Sequence, residues 1–205
     1  MIGTDNIIDI SHYNGPSLDF EKASASGIVG VLHKASDGST YIDPMYDQNR
    51  QNATAAGMKW GAYHYWENDP VDSQVQNFLG AVGNLQQVLL AVDVEISAVS
   101  WDQVGQFTAA VHERTGQWPG IYSNLSTLKS LTSGDGSQLA ESWLWLAYYS
   151  SEVPESPVPS IWPTWTIWQY TQSAQVPGIT DSEHPCDRDT FNGSEAELMR
   201  LWGVD

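Results

Sequence analysis

The sequence predicts a single α/β domain, a β/α barrel of eight strands in which the later helices are reduced or missing. Three observations lead there. Short apolar runs alternate with helical patterns along the whole chain, as in strand–helix–strand units on a parallel sheet. Eight such runs occur, at residues 7–10, 29–34, 59–65, 88–94, 120–122, 143–147, 166–169 and 186–188. Carboxylates and other reactive side chains collect near the ends of these runs, where parallel α/β folds gather their chemistry.

Taken in order, the run at 7–10 contains Asp9, and a helix is expected over 20–26. The run at 29–34 ends in Lys34. Asp43-Pro44 offers an N-cap and an N1 proline for a helix over 44–56, which Gly57 closes. The run at 59–65 ends in the aromatics Tyr63-His64-Tyr65-Trp66 and precedes a helix over 72–82. Leu89-Leu90-Ala91-Val92 ends abruptly in Asp93 and Glu95, and Ser100 and Gly116 bound a helix over 102–115. Tyr122 ends the next run, with a helix over 125–130 behind it. The runs at 143–147 and 166–169, the latter ending in Gln169, lead to the short strand around Asp187 and a last helix over 195–202. Residues 133–137 and the Pro- and Ser-rich 150–163 read as loops. No internal repeat or linker marks a second domain, so residues 1–205 read as one.

At 205 residues, with 41% hydrophobic and 16% charged, the chain encloses a substantial core and is globular. Its net charge of −17 argues against nucleic acid or an anionic membrane surface as a partner. A neutral or weakly charged substrate fits better. Cys186 stands alone, so no intramolecular disulfide forms. No apolar run approaches the roughly 20 residues of a membrane span, and residues 1–6 lack the basic and apolar regions of a signal peptide. The 10 Trp and 9 Tyr are mostly core by expectation, yet such numbers suit carbohydrate, whose apolar ring faces lie on aromatic rings.

Asp93-Val94-Glu95 is the most informative triplet. Strand side chains alternate faces, so both carboxyls project the same way. Two carboxyls near a strand end are the raw material for acid/base cleavage of a glycosidic bond, one protonated and one ionised. The plainer reading is a cap or an ion pair. Asp9 is a third candidate, its plainer reading a cap for the turn at Ser11-His12-Tyr13. Asp187 is a fourth, with Asp189 competing two residues on. Lys34 either binds a substrate carboxylate or holds a catalytic one ionised, or it only pairs with Asp9 or Asp37. His64 is either an acid, base or donor, or a satisfied structural histidine. Tyr63 and Tyr65 share one strand face and His64 takes the other. Asp9, Asp93, Glu95 and Asp187 lack the clustered spacing of metal ligands, so neither metal nor other cofactor is expected.

The ordered set of motifs closely resembles the lysozymes of glycoside hydrolase family 25, the Chalaropsis-type muramidases, over nearly the whole chain. It runs from Asp9-Ile10-Ser11-His12-Tyr13-Asn14-Gly15 and Asp19-Phe20 through Lys34-Ala35-Ser36-Asp37-Gly38, Tyr41-Ile42-Asp43-Pro44 and Ala56-Gly57. It continues with Gly61-Ala62-Tyr63-His64, Asp93-Val94-Glu95 and Pro119-Gly120-Ile121-Tyr122-Ser123-Asn124. It ends with Trp145-Leu146-Ala147-Tyr148-Tyr149, Trp168-Gln169-Tyr170 and Asp187-Arg188-Asp189-Thr190-Phe191-Asn192-Gly193. Three positions depart. Arg188 and Asp189 stand where the family usually has an apolar residue and Asn, and Asp37 stands where Glu is common.

The resemblance implies an irregular, flattened TIM-like barrel with eight strands and fewer than eight helices, a catalytic domain without a separate wall-binding domain. It implies cleavage of the β-1,4 bond between N-acetylmuramic acid and N-acetylglucosamine in bacterial peptidoglycan, with retention, and it identifies Glu95 as proton donor, Asp93 as partner carboxylate, and Asp9 and Asp187 as supporting aspartates. The 2-acetamido group as nucleophile is the expected route, a covalent Asp93 its rival. Tyr63, Tyr65, Trp66, Tyr122, Tyr148 and Trp168 are the sugar-facing candidates, joined by Lys34, His64 and Gln169. A monomer acting in the cell-wall compartment is expected, without nucleic-acid binding or membrane insertion and with phage-type or other non-standard release. The alternatives are a barrel that holds glycan without cutting it, a chitin-type glycosidase, and a metal-dependent hydrolase.

Overall fold

A computed structural model describes residues 4–131, 136–154, 161–180 and 184–203, and eight of its strands close into a barrel. Around it run β1 (Thr4–Ile10), β2 (Gly30–Asp37), β4 (Lys59–Tyr65), β5 (Val88–Asp93), β6 (Gly120–Asn124), β7 (Leu144–Ala147), β8 (Ile167–Ala174) and β9 (Cys186–Phe191), which returns to β1. A two-residue strand, β3 (Tyr41–Ile42), folds back antiparallel on the end of β2. The helices are α1 (Phe20–Ala25), α2 (Tyr46–Ala55), α3 (Val71–Val82), α4 (Trp101–Thr115), α5 (Leu125–Leu128), α6 (Gly136–Leu139) and α7 (Glu195–Leu201). The long helices follow the early strands, and among the described residues those after β6 are the four-residue α5 and α6 and the seven-residue α7, as the reduced later pattern predicts. The loop residues 133–135 and 155–160, and Met1 to Gly3, lie outside the described residues.

The sheet is not parallel throughout. β9 runs antiparallel to both β8 and β1. A parallel return needs a crossover of about a dozen residues or more, usually a helix. Only residues 175–185 separate β8 from β9, so the chain turns straight back. The consequence is functional: Asp187, at the start of β9, reaches the same rim as the C-terminal ends of the parallel strands. Its Cα pairs with that of Asp9.

Alternation along the strands makes two cores. One fills the barrel: Ile7, Leu32, Leu89, Ala91, Trp145, Ile167 and Phe191. The other lies between barrel and helices, with Ile8, Val31, Trp60, Leu90, Val92, Ile121, Leu146 and Trp168 packed against Phe78, Phe107 and their neighbours. At this face α4 is held by Ser100, which accepts from Gln103 N, and by Gly116 at φ 75°. Trp202, following α7, closes the floor, its Nε1 donating to Trp60 O at 2.8 Å. Gly30 is required there, because a Cβ would lie 2.7 Å from the Trp202 ring.

The expected Asp43-Pro44 cap differs in detail. α2 starts at Tyr46 with no side-chain cap. Asp43 instead accepts from Met45 N at 2.9 Å and from His12 Nδ1 at 2.8 Å, which fastens the turn after β1 to this loop. That turn is capped by Ser11, not by Asp9. Residues 136 and 137, expected in a loop, begin α6.

Candidate active site

An open cleft of about 480 Å³ lies at the rim, lined by Asp9, Asp93, Glu95 and Asp187 together with Lys34, Tyr63, Tyr65, Tyr122 and Gln169. The triplet Asp93-Val94-Glu95 is anchored by its backbone. Trp66 N donates to Asp93 O at 2.8 Å, Val94 N to Tyr122 O at 2.9 Å, and Ser123 Oγ to Val94 O at 2.6 Å. Val94 is buried in the outer core, which turns both flanking carboxyls into the cleft.

Those two carboxyls occupy unlike surroundings. Asp93 is 7% exposed and its Oδ1 is enclosed without a hydrogen-bond partner. Burial first, and Glu95 second, raise it well above the usual carboxylate range. Glu95 is exposed at the cleft surface, and enclosure by the walls raises it less, against a hydrogen bond from Asn124 and the charge of Lys34. The sequence reading has one carboxyl protonated and one ionised, with Glu95 the proton donor. The deeper carboxyl holds its proton more firmly, because burial and the neighbouring charge of Glu95 both raise it, whereas Asn124 and Lys34 offset the rise at Glu95.

The opposite wall is a hydrogen-bonded chain. Tyr122 Oη donates to Gln169 Oε1 at 2.8 Å, and Gln169 Nε2 donates to Asp9 Oδ2 at 2.8 Å. Asp9 is buried, and desolvation with Asp187 and Asp189 raises it well above its ordinary value. Asp187 is pushed up to about 6, chiefly by burial. The two aspartates of β9 differ in depth: Asp187 lines the cleft, whereas Asp189 is fully buried beneath it. Lys34 Nζ pairs with Asp37 Oδ2 at 3.1 Å and lies 4.4 Å from the centre of the Tyr65 ring. It shares the inward face with Leu32 two residues earlier, and the bulge that follows it in the pairing of β2 with β4 leaves Ser36 facing outward onto His64.

Four expected binding residues stand elsewhere. His64 is fully buried on the outer face between Ser36 Oγ at 2.8 Å and Gln74 Oε1 at 3.1 Å, its ring stacked on Phe107. Burial lowers it to about 4, so it is a neutral structural histidine. Trp66, two positions on, is also outward and buried against Phe107. Trp168 points into the outer core and donates its Nε1 to Tyr148 O at 2.6 Å. Tyr148 is partly exposed but off the cleft. Tyr149 and Trp145 line it instead. Strand parity carried that signal, since 145, 147, 149 and 169 share the inward face. Ser11, Tyr13, Asn14, Gln172, His184 and Pro185 complete the lining. Asn14 Nδ2 donates to Pro185 O at 3.1 Å and so ties the turn after β1 to β9.

Comparison with known proteins accords with this geometry. The sequence model of glycosyl hydrolases family 25 matches residues 8–179, stopping short of β9. Lysozyme M1 of Streptomyces globisporus is 29% identical over 211 positions, spanning 95% of this chain and 70% of its own. The N,O-diacetylmuramidase of Chalaropsis sp is 28% identical, spanning 94% of this chain and 96% of its own. Among solved structures, the bacterial lysozyme from Streptomyces coelicolor has a TM-score of 0.85 at 30% identity, over 97% of this chain and 96% of that one. With a family match that runs from β1 past the end of β8, the chain is a glycoside hydrolase and belongs to glycosyl hydrolases family 25.

Proposed function

We propose that this chain cleaves the β-1,4 bond between N-acetylmuramic acid and N-acetylglucosamine in bacterial peptidoglycan, with retention and with help from the substrate's own acetamido group. The observation that carries the reading is the pairing of an open carboxyl, Glu95, with an enclosed one, Asp93, on one face at the rim. The names of the lysozyme and muramidase relatives support the substrate class.

Glu95, raised by its enclosure, donates a proton to the departing glycosidic oxygen as the C1–O bond breaks. The acetamido carbonyl oxygen attacks C1 from the opposite face and closes an oxazolinium ring. Asp93 accepts the acetamido N–H, which favours its carboxylate and sets negative charge beside the developing cation. Glu95, now ionised, takes a proton from water as that water attacks C1 and reopens the ring. Asp9 and Asp187 hold the far wall, and Tyr63, Tyr65, Tyr122 and Tyr149 offer faces and hydroxyls to the sugars. The single barrel acts as a monomer, with no cofactor.

The test is digestion of purified peptidoglycan by wild type and Glu95→Gln, with released ends reduced by borohydride and identified by mass. Reduced muramic ends from wild type alone are expected. Reduced glucosamine ends would make it a glucosaminidase, and binding without release by either protein would make it a glycan-holding barrel.

A further inference from the structure

Beneath the cleft the barrel buries a carboxyl for which the proposed reaction has no use. Asp189 lies on β9 with its Cα paired to Ile7, one inward position below Asp187, and is 0% exposed. Its Oδ1 accepts from Trp145 Nε1 at 2.7 Å. Its Oδ2 is enclosed without a hydrogen-bond partner, and the register places it diagonal to Asp9 on the inward face, Asp9 pairing with Asp187 and Asp189 with Ile7, so that each carboxyl acts on the other's hold on a proton. Asp9 in turn accepts from Gln169 through Oδ2.

Two ionised carboxylates present only lone pairs to each other, so a hydrogen bond between them requires a proton. Burying both charges side by side costs far more than retaining that proton. The surroundings leave the balance unchanged. Asp187 and Asp5 add negative charge from β9 and β1. Cys186, Tyr63 and Tyr122 are all raised further from ionisation, and Trp145 and Gln169 are uncharged. Arg188 is turned outward onto Asp5 at 3.0 Å. Burial foremost pushes Asp189 up to about 8.

We propose that Asp189 is a positioning residue that shares one buried proton with Asp9 and thereby fixes the Asp9 carboxyl, at the end of the Tyr122–Gln169–Asp9 chain, against the bound glycan. The inference rests on reading this cleft as the active site. When the proton leaves at alkaline pH, two carboxylates face each other, Asp9 is driven from its place, and the far wall of the cleft is lost.

The test compares Asp189→Asn and Asp189→Ala in the full chain. Asn keeps an acceptor for Trp145 and supplies a permanent N–H to Asp9 in place of the shared proton. Asp189→Ala is expected to lose tenfold or more in kcat/KM, and Asp189→Asn to recover most of that loss. The wild-type alkaline limb contains an ionisation near 8 that Asp189→Asn lacks, and the melting temperature of Asp189→Asn stays flatter from pH 5 to 8. An unchanged alkaline limb in Asp189→Asn would overturn the proposal, even if the melting profile flattened, because the proton would then not act on the reaction. Failure of the active-site reading shows separately: Glu95→Gln would remain active, whatever Asp189 does to melting.

Discussion

Asp93 and Glu95 leave the same end of one strand on the same face, yet Asp93 is enclosed and Glu95 opens on the cleft. The proposed division of labour rests on that difference in depth. Removing the proton donor while keeping its shape, in Glu95→Gln, should lower turnover by roughly 10²- to 10⁴-fold, the usual range for a positioned general acid. Glycan binding, measured by sedimentation with insoluble peptidoglycan, should persist. Loss of binding in step with activity would instead assign Glu95 to substrate capture.

Asn124 bears on the proposed acid. Its Oδ1 caps α5 by accepting from Thr127 N at 3.0 Å, and its side chain also hydrogen-bonds Glu95, lowering it. Asn124→Ala removes a partner of the Glu95 carboxylate, so Glu95 should hold its proton to higher pH. The alkaline limb of kcat/KM should move upward in Asn124→Ala; a downward move would contradict the assignment of Glu95 as acid.

Buried histidines and buried carboxyls set opposite slopes of stability with pH. His33 and His64 are each lowered from 6.5 to about 4 by burial, so below pH 6.5 the unfolded chain takes up protons that the folded one refuses. Stability is therefore lost as pH falls from 6.5 towards 4, by about 3 kcal/mol for each histidine. Asp187 and Asp189 are raised to about 6 and about 8, so the folded chain holds the extra protons between pH 4 and 8. Their contribution declines as pH rises through that window and levels above it. A His64→Gln variant should gain stability relative to wild type as pH drops from 7 to 4, read by thermal melting. A pH-independent difference would mean that His64 takes up its proton as readily in the fold as in the unfolded chain.

Much of this was legible in the chain. Each of the eight expected runs overlaps a barrel strand, because barrel interiors and helix-covered exteriors both demand apolar residues on short segments. The rim carboxylates were legible because a carboxyl ending an apolar run has few plain explanations. The direction of β9 was not, since strand polarity is set by connection length and not by the strand's own residues. Trp66 and Trp168 illustrate a second limit: aromatic character says nothing about which face is inside, whereas the parity of Trp145, Tyr149 and Gln169 does. The tie between His12 and Asp43 depends on a contact 31 residues apart and leaves no local pattern.

The barrel floor depends on a close approach. A Cβ at Gly120 would lie 2.4 Å from atoms of the Trp143 ring, so the strand or the indole must shift to admit it. Gly120→Ala should cost about 1–3 kcal/mol, as overpacking of a filled core does. Urea unfolding measures this directly. A loss below 0.5 kcal/mol, on the order of a neutral surface change, would mean that Trp143 swings aside freely.

Charge governs the encounter with the proposed substrate. At −17 the chain is repelled by a wall rich in anionic polymer, and at low ionic strength that field extends tens of ångströms. At about 0.1 M salt the screening length shrinks to about 10 Å, and approach no longer pays the long-range cost. Lytic activity on whole Gram-positive cells should therefore rise from low to moderate salt, while activity on a small neutral glycan stays flat. The paired measurement isolates the encounter from the chemistry: a fall with salt on cells alone would show that local attraction, around Lys34 or another cation, outweighs the net charge.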